Sequence, residues 1–125
     1  MSPPLLLVVE DDDDVREALM SVLSDAGYGT TWAGDGVAAM DALHSGLKPA
    51  AILLDLMMTR MNGFEFRAEQ QADPAFADIP VIVLTAARAA ERAASTLRVA
   101  ACLPKPAGVD DLLAVVSRVV GPVSG

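Results

Sequence analysis

Four short apolar runs, each ending on a polar residue, constrain this chain more than any other feature. Leu5 to Val9 runs straight into Glu10-Asp11, and Ile52-Leu53-Leu54 runs into Asp55. Val81 to Leu84 ends at Thr85, and Ala101 to Pro104 ends at Lys105. Unbroken apolar runs of strand length, separated by stretches of helical pattern, mark parallel strands buried on both faces. In an open α/β sheet the crevice that takes ligands lies outside the carboxyl ends of such strands. One edge of the sheet is therefore expected to gather three carboxylates, a hydroxyl and an ammonium.

The segments between the runs read as helices and one more strand. Asp14-Val15-Arg16-Glu17 has the spacing of a capping box. Val15, Ala18, Leu19, Val22, Leu23 and Ala26 then make an apolar stripe that Gly27 stops. Tyr28 to Ala33 is the second strand, and Gly34-Asp35-Gly36 turns into a helix carrying Val37, Met40 and Leu43 as far as Ser45-Gly46. The third strand covers Ala50 to Leu54. A loop from Met57 to Gly63 leads to a helix over Phe64 to Ala72, whose stripe is only Phe64 and Ala68. Asp73-Pro74 and Ile79-Pro80 bracket the next loop, and the Ala- and Arg-rich stretch 87–97 favours helix by propensity. A fifth strand near Ala101 to Leu103 precedes a helix over Val109 to Val120, with Leu112, Val115, Val116 and Val119 facing the core.

Five strands alternating with five helices predict one doubly wound α/β domain with helices on both faces. The expected strand order is 2-1-3-4-5, which makes Glu10, Asp11 and Asp55 neighbours at the switch point. The core is expected over residues 5–120, with Gly121 to Gly125 as a frayed tail.

Composition narrows the function. At 125 residues and 53% hydrophobic content the chain supports one real core. No apolar stretch is long enough to span a membrane, and Met1-Ser2-Pro3-Pro4 lacks the pattern of a signal peptide, so a cytoplasmic address is expected. Nine Lys and Arg against 17 Asp and Glu give a net charge of −8 without a basic cluster, which argues against direct nucleic-acid binding. The single cysteine, Cys102, excludes an internal disulfide and a cysteine-based zinc site, and is expected to be a small buried hydrophobe. His44, late on the second helix, is expected at the surface. Met57, Met58 and Met61 are expected to pack within their loop, Met57 also screening Asp55 from water.

Three carboxylates in one crevice repel; at 4 Å and an effective dielectric near 20 each pair costs roughly 4 kcal/mol. A hard divalent cation relieves this, and oxygen ligands with open positions suit Mg²⁺. The three acids and Lys105 sum to −2, which one Mg²⁺ offsets. Such a pocket admits a phosphoryl donor, since positioning and charge neutralisation supply most of the catalysis of phosphoryl transfer. Asp55 then serves as the nucleophile, forming an aspartyl phosphate. Lys105 acts as a point charge on a phosphoryl oxygen and Thr85 donates its hydroxyl. The new charge pulls Thr85 and Lys105 toward it, which makes a two-state switch.

The motifs Val8-Val9-Glu10-Asp11-Asp12, Leu53-Leu54-Asp55-Leu56-Met57-Met58, Met61-Asn62-Gly63, Val83-Leu84-Thr85-Ala86 and Pro104-Lys105-Pro106, in this order, closely resemble the receiver domain of bacterial two-component response regulators. The resemblance covers about residues 5–120 and implies a flavodoxin-like fold. It implies Mg²⁺ held by Asp11, Asp55 and the backbone carbonyl of Met57, with Glu10 acting through water. It implies backbone groups of Met57 and Ala86 on the phosphoryl oxygens, and a cis Lys105-Pro106 bond. The implied phosphodonor to Asp55 is a histidine kinase or a histidine phosphotransfer protein. Partner contact, or weak dimerisation of a monomer, is implied through the fourth helix, fifth strand and fifth helix, where Arg88, Arg92 and Arg98 edge an Ala-rich surface.

The chain departs from the family pattern at four places. Thr59 stands where the family has Pro, Cys102 replaces an aromatic that rotates inward with Thr85, Arg98 replaces a glycine, and Ala107 replaces a phenylalanine. The phosphorylation machinery is complete, whereas the readout is altered. With no polar group at Met57 or Ala87 to direct a water, the aspartyl phosphate is expected to be lost slowly. Two other functions compete. Asp55 and Thr59 superficially fit the Asp-x-Asp-x-Thr motif of haloacid-dehalogenase-type phosphatases, but Met57 occupies the place of its general acid. A structural interaction module that is never phosphorylated is the other.

Overall fold

A computed structural model describes residues 3–58, 60–86, 88, 91–92 and 97–121. Its elements are β1 (Leu5–Val9), α1 (Asp13–Asp25), β2 (Gly29–Ala33), α2 (Gly36–His44), β3 (Ala51–Leu54), α3 (Gly63–Ala72), β4 (Val81–Ala86), β5 (Ala101–Lys105) and α4 (Val109–Val120). The strands form one sheet in the order β2-β1-β3-β4-β5, every pairing parallel. The helix expected over 87–97, Thr59, Ala87 and the tail beyond Gly121 lie largely outside the described residues. Of the surface expected to involve that helix, β5, α4 and Arg98 are described, and most of the helix itself is not.

Successive side chains of a strand point to opposite faces, and this alternation builds two cores. Leu7, Val9, Ile52, Leu54, Val81 and Val83 pack with Ala39, Met40, Leu43 and Phe66 under α2 and α3. Leu6, Val8, Leu53 and Ile82 pack with Leu23, Leu112 and Val116 under α1 and α4. Apart from Leu5 at the start of β1 and Ala86 at the end of β4, the three inner strands are buried, which is why they read as continuous apolar runs with no alternation. Pro104 is accommodated because β5 is an edge strand. Among the described residues no helix is long and apolar enough to cross a membrane.

Three helix details differ from the sequence-based expectation. The N-cap of α1 is Asp12, not Asp14: its extended backbone and its carboxylate, which accepts from the Val15 N–H at 3.0 Å, start the helix at Asp13. Asp13 and Asp14 then occupy the first turn, where the helix dipole favours negative charge. Ala18, expected in the core stripe, is exposed, while Arg16 is buried. The end of α1 is as expected: Gly27 has φ 101°, and the Gly27 and Tyr28 N–H groups donate back to Ser24 and Leu23.

Helix α3 faces the core through Phe66, Arg67 and Gln70, and Ala68 points to solvent. It begins with an Asn62–Glu65 capping box. Hydropathy misses this face because two of its three members are polar. They are buried because partners meet them: Arg67 donates to Gln70 Oε1 at 2.8 Å and to the carbonyl of Arg98, and Gln70 Nε2 donates to the carbonyls of Phe76 and Ile79 at 3.0 Å each. That network fastens the 73–80 loop and the approach to β5 onto α3. Burial lowers the Arg67 pKa.

Candidate phosphoryl and metal site

All five polar strand-end residues singled out in the sequence lie at the carboxyl edge of the sheet. The Glu10 N–H donates to the Ala33 carbonyl at 3.2 Å, and the Asp55 N–H donates to the Val9 carbonyl at 3.1 Å. These two backbone bonds put Glu10 and Asp55 side by side as β1 and β3 end. Thr85 closes the row from β4, and Lys105 reaches in from the last position of β5, opposite Ala86 in register.

The Asp55 carboxylate is held at both oxygens. Oδ1 accepts from the Thr85 hydroxyl at 3.0 Å and from the Met57 N–H at 3.1 Å. Oδ2 faces the Lys105 ammonium at 3.3 Å. Glu10 is also engaged twice: Oε1 accepts from the Asp12 N–H at 3.2 Å, and Oε2 pairs with Lys105 Nζ at 2.6 Å. Glu10, Asp55 and Thr85 are buried, at 3%, 6% and 0% exposure, whereas Asp11 is exposed. One carboxylate oxygen from each of Glu10, Asp11 and Asp55 lies within 4.8 Å of the other two.

The charges settle unequally. Burial raises the pKa of Glu10, and the hydrogen bond from Lys105 only partly offsets it. Burial pulls Lys105 down, but the Glu10 hydrogen bond and the charges of Asp55 and Glu10 outweigh it, so its pKa rises above 10.5. The asymmetry follows from depth: the Glu10 side chain is 3% exposed and that of Lys105 is 26%. The more deeply buried partner loses more hydration than the pairing returns. Lys105 therefore stays an ammonium at neutral pH.

The loop after Asp55 is pinned by backbone contacts. The Gly63 N–H donates to the Leu56 carbonyl at 3.1 Å, and the Gly36 N–H donates to the Arg60 carbonyl at 3.1 Å. A Cβ on Gly63 would lie 2.6 Å from the Leu56 Cα and 2.7 Å from the Asp55 carbonyl oxygen, so only glycine allows this approach. Met58 is buried and Met61 packs against the core, but the Met57 side chain is 65% exposed instead of packed. Its backbone is held by Asp55 while its side chain faces solvent. The Lys105-Pro106 peptide is cis. Cys102 is half-buried against the α2–α3 core, and burial raises its pKa. His44 is exposed, 3.6 Å from the Asp73 carboxylate and edge-on to Phe76.

Arg16 was not singled out as a site residue. Its guanidinium is buried beside the acids and donates to the carbonyl oxygen of Glu10 at 3.0 Å. The only signal in the sequence was a cation inside the first helix's apolar stripe.

A buried, doubly held aspartate between a hydroxyl and an ammonium, on a parallel sheet of this strand order, defines a known class. The chain belongs to the response regulator receiver domain family, whose model matches residues 6–117. It is 40% identical over 114 residues to the response regulator MprA of Mycobacterium sp. (strain KMS), covering 90% of this chain and 48% of that protein. The same identity holds over 111 residues with MprA of Mycobacterium avium (strain 104), covering 87% and 47%. The chain thus spans about half the length of the curated relatives it matches. Among solved structures, a response regulator receiver protein from Pseudomonas putida superposes with a TM-score of 0.85 at 28% identity, covering 94% of this chain and 98% of that one. The receiver domain of sensor histidine kinase PA1611 from Pseudomonas aeruginosa PAO1, solved with a magnesium ion in its active site cleft, shares the fold, with a TM-score of 0.83, 24% identity and coverage of 95% and 98%.

Proposed function

We propose that the chain is a signalling switch in which Asp55 accepts a phosphoryl group from a phosphohistidine on a histidine kinase or histidine phosphotransfer protein. The observation that carries this is the double tether of the buried Asp55 carboxylate, by Thr85 and Met57 at one oxygen and Lys105 at the other. These donors aim at the place where phosphoryl oxygens arrive, and hydrogen-bond donors fixed in advance need no reorganisation during transfer. An Asp55 oxygen forms the bond to phosphorus as the bond from phosphorus to the imidazole nitrogen breaks. That nitrogen leaves with the electron pair and is reprotonated from solvent.

The acid cluster fits Mg²⁺. Three hard oxygen donors converge, and one of them, on Asp11, is exposed and takes no hydrogen bond among the described residues. Following the family pattern, Asp11, Asp55 and the Met57 carbonyl would hold the ion directly, and Glu10, whose oxygens accept from Asp12 and Lys105, would act through water. When bound, Mg²⁺ neutralises charge on the acids and on the incoming phosphoryl oxygens. In the acyl phosphate, Lys105, the Thr85 hydroxyl and the Met57 N–H turn from the carboxylate to the phosphoryl oxygens, which the Ala86 backbone also meets. This draws together the ends of β4 and β5 and changes what a partner protein meets there. Because Cys102 carries no ring to follow Thr85, the change is confined to those strand ends. The setting we infer is the cytoplasm.

Incubation with acetyl phosphate and Mg²⁺, read by intact mass, tests the proposal. The chain should gain the mass of one phosphoryl group, and Asp55→Asn should gain none. No gain by the unsubstituted chain, under conditions that label a competent receiver, would instead favour an interaction module that is never phosphorylated.

A further inference from the structure

The acid pair that leaves β1 is tied to the protein surface through one side chain. The Arg16 guanidinium donates from Nη1 to the carbonyl oxygen of Glu10 at 3.0 Å and from Nη2 to Asp13 Oδ1 at 2.5 Å. Its planar face lies 3.9 Å from the centre of the Trp32 ring, which is 53% exposed at the sheet edge on β2. A fork of donors and a flat face are what distinguish arginine from lysine, and this site uses both. Three elements therefore meet at one guanidinium: the end of β1, the first turn of α1 and the edge strand β2.

The charge is in an odd place if its purpose is electrostatic. A cation beside three clustered carboxylates competes with a divalent ion for the same field, so charge alone predicts that removing Arg16 improves cation binding. The contact, however, is to the backbone carbonyl of Glu10, in the peptide that joins the two acids. We propose that Arg16 is a positioning residue for the divalent-ion site, fixing the Glu10 carbonyl and hence the directions in which the Glu10 and Asp11 carboxylates leave β1. Trp32 and Asp13 clamp the guanidinium so that it can do so. This inference rests on the acid cluster being a Mg²⁺ site, as proposed above. It gives the exposed Trp32 a structural partner and a purpose beyond the two cores.

Mg²⁺ titration by calorimetry, without any phosphodonor, tests it. The proteins are the unsubstituted chain, Arg16→Met, which keeps the stem but loses the fork and the charge, and Arg16→Lys, which keeps the charge and one donor. Groups that orient metal ligands are typically worth 10–100-fold in affinity, so Arg16→Met should bind Mg²⁺ roughly tenfold more weakly despite the loss of a competing charge. Arg16→Lys should recover part of that loss. Trp32→Ala, which frees the guanidinium without touching the acids, should show a smaller weakening in the same direction.

Thermal unfolding in EDTA is measured alongside. If Arg16→Met unfolds earlier but binds Mg²⁺ as tightly as the unsubstituted chain, or more tightly, the positioning role is overturned and only packing remains. If Arg16→Met does not fold, the decision passes to Arg16→Lys and Trp32→Ala, and unchanged affinity in both overturns the proposal. Failure of the unsubstituted chain to bind Mg²⁺ is a different outcome, which removes the metal site itself and the inference with it.

Discussion

Replacing Lys105 with methionine removes the cation that pairs with the carboxylates of Glu10 and Asp55, and its cost in the metal-free protein follows from the geometry. At an effective dielectric of 20, the contacts at 2.6 Å to Glu10 and 3.3 Å to Asp55 represent roughly 6 and 5 kcal/mol of gross attraction. Desolvation of the ions consumes most of it, and breaking such a pair costs about 3–5 kcal/mol because the abandoned charge stays buried. Protonation sets a ceiling on the Glu10 share. Taking up a proton at pH 7 from an ordinary pKa of 4.5 costs about 3.4 kcal/mol, so Glu10 protonates before its penalty exceeds that. Lys105→Met should therefore lose about 3 kcal/mol at pH 7, which for a domain of this size lowers Tm by roughly 10 °C.

The pH dependence carries the sign. Burial raises the Glu10 pKa, so the penalty for ionising it is fully present above its folded pKa and vanishes as pH falls toward 4.5. Loss of Lys105 raises that pKa further and widens the window. In melts followed by circular dichroism in EDTA, the gap between Lys105→Met and the unsubstituted chain should be wide at pH 7 and narrow near pH 4.5. Saturating Mg²⁺ at pH 7 should stabilise the variant more than the unsubstituted chain, since the ion then meets a net charge of three acids with no lysine among them. A gap independent of pH, or no destabilisation in EDTA, would show that Lys105 does not balance Glu10.

Two further outcomes test the supports of the site. Gln70→Leu strands the carbonyls of Phe76 and Ile79 and one bond of Arg67, and should cost at least about 3 kcal/mol in urea unfolding. Arg67→Met should cost less than half as much, because it also relieves a buried cation that has no carboxylate partner among the described residues; equal costs would refute that ranking. Gly63→Ala forces a Cβ against the backbone of the loop that follows Asp55, and should lose about 1–3 kcal/mol while weakening Mg²⁺ binding. Retained Mg²⁺ affinity in that variant would show that the loop is not set by this contact.

Much of the molecule was legible before any coordinates. The inner strands announced themselves because burial on both faces leaves no reason for polar residues until the strand leaves the core at Glu10, Asp55 and Thr85. Gly27 and Ser45-Gly46 marked helix ends because local backbone geometry decides them. Where signals overlapped, reading failed. Five consecutive acids offered several caps for α1, and only the exit direction of β1 selected Asp12 over Asp14. In α3 Phe64 packs against the core as expected, but Arg67 and Gln70 are buried through carbonyls 31, 6 and 9 residues further on, which the periodicity of apolar residues does not register.

The order of residues by itself determined which side chains stand at strand ends, and hence the chemical inventory of the site: three carboxylates, one hydroxyl, one ammonium. Tertiary structure alone decided how that inventory is wired. It set Glu10 deeper than Lys105, so that one pKa rises from burial and the other from pairing. It also turned Arg16 inward onto the Glu10 carbonyl and left the Met57 side chain in solvent. The physical reason is range: strand and helix ends are settled by neighbours in sequence, whereas desolvation and the partners that offset it depend on what distant segments bring within a few ångströms.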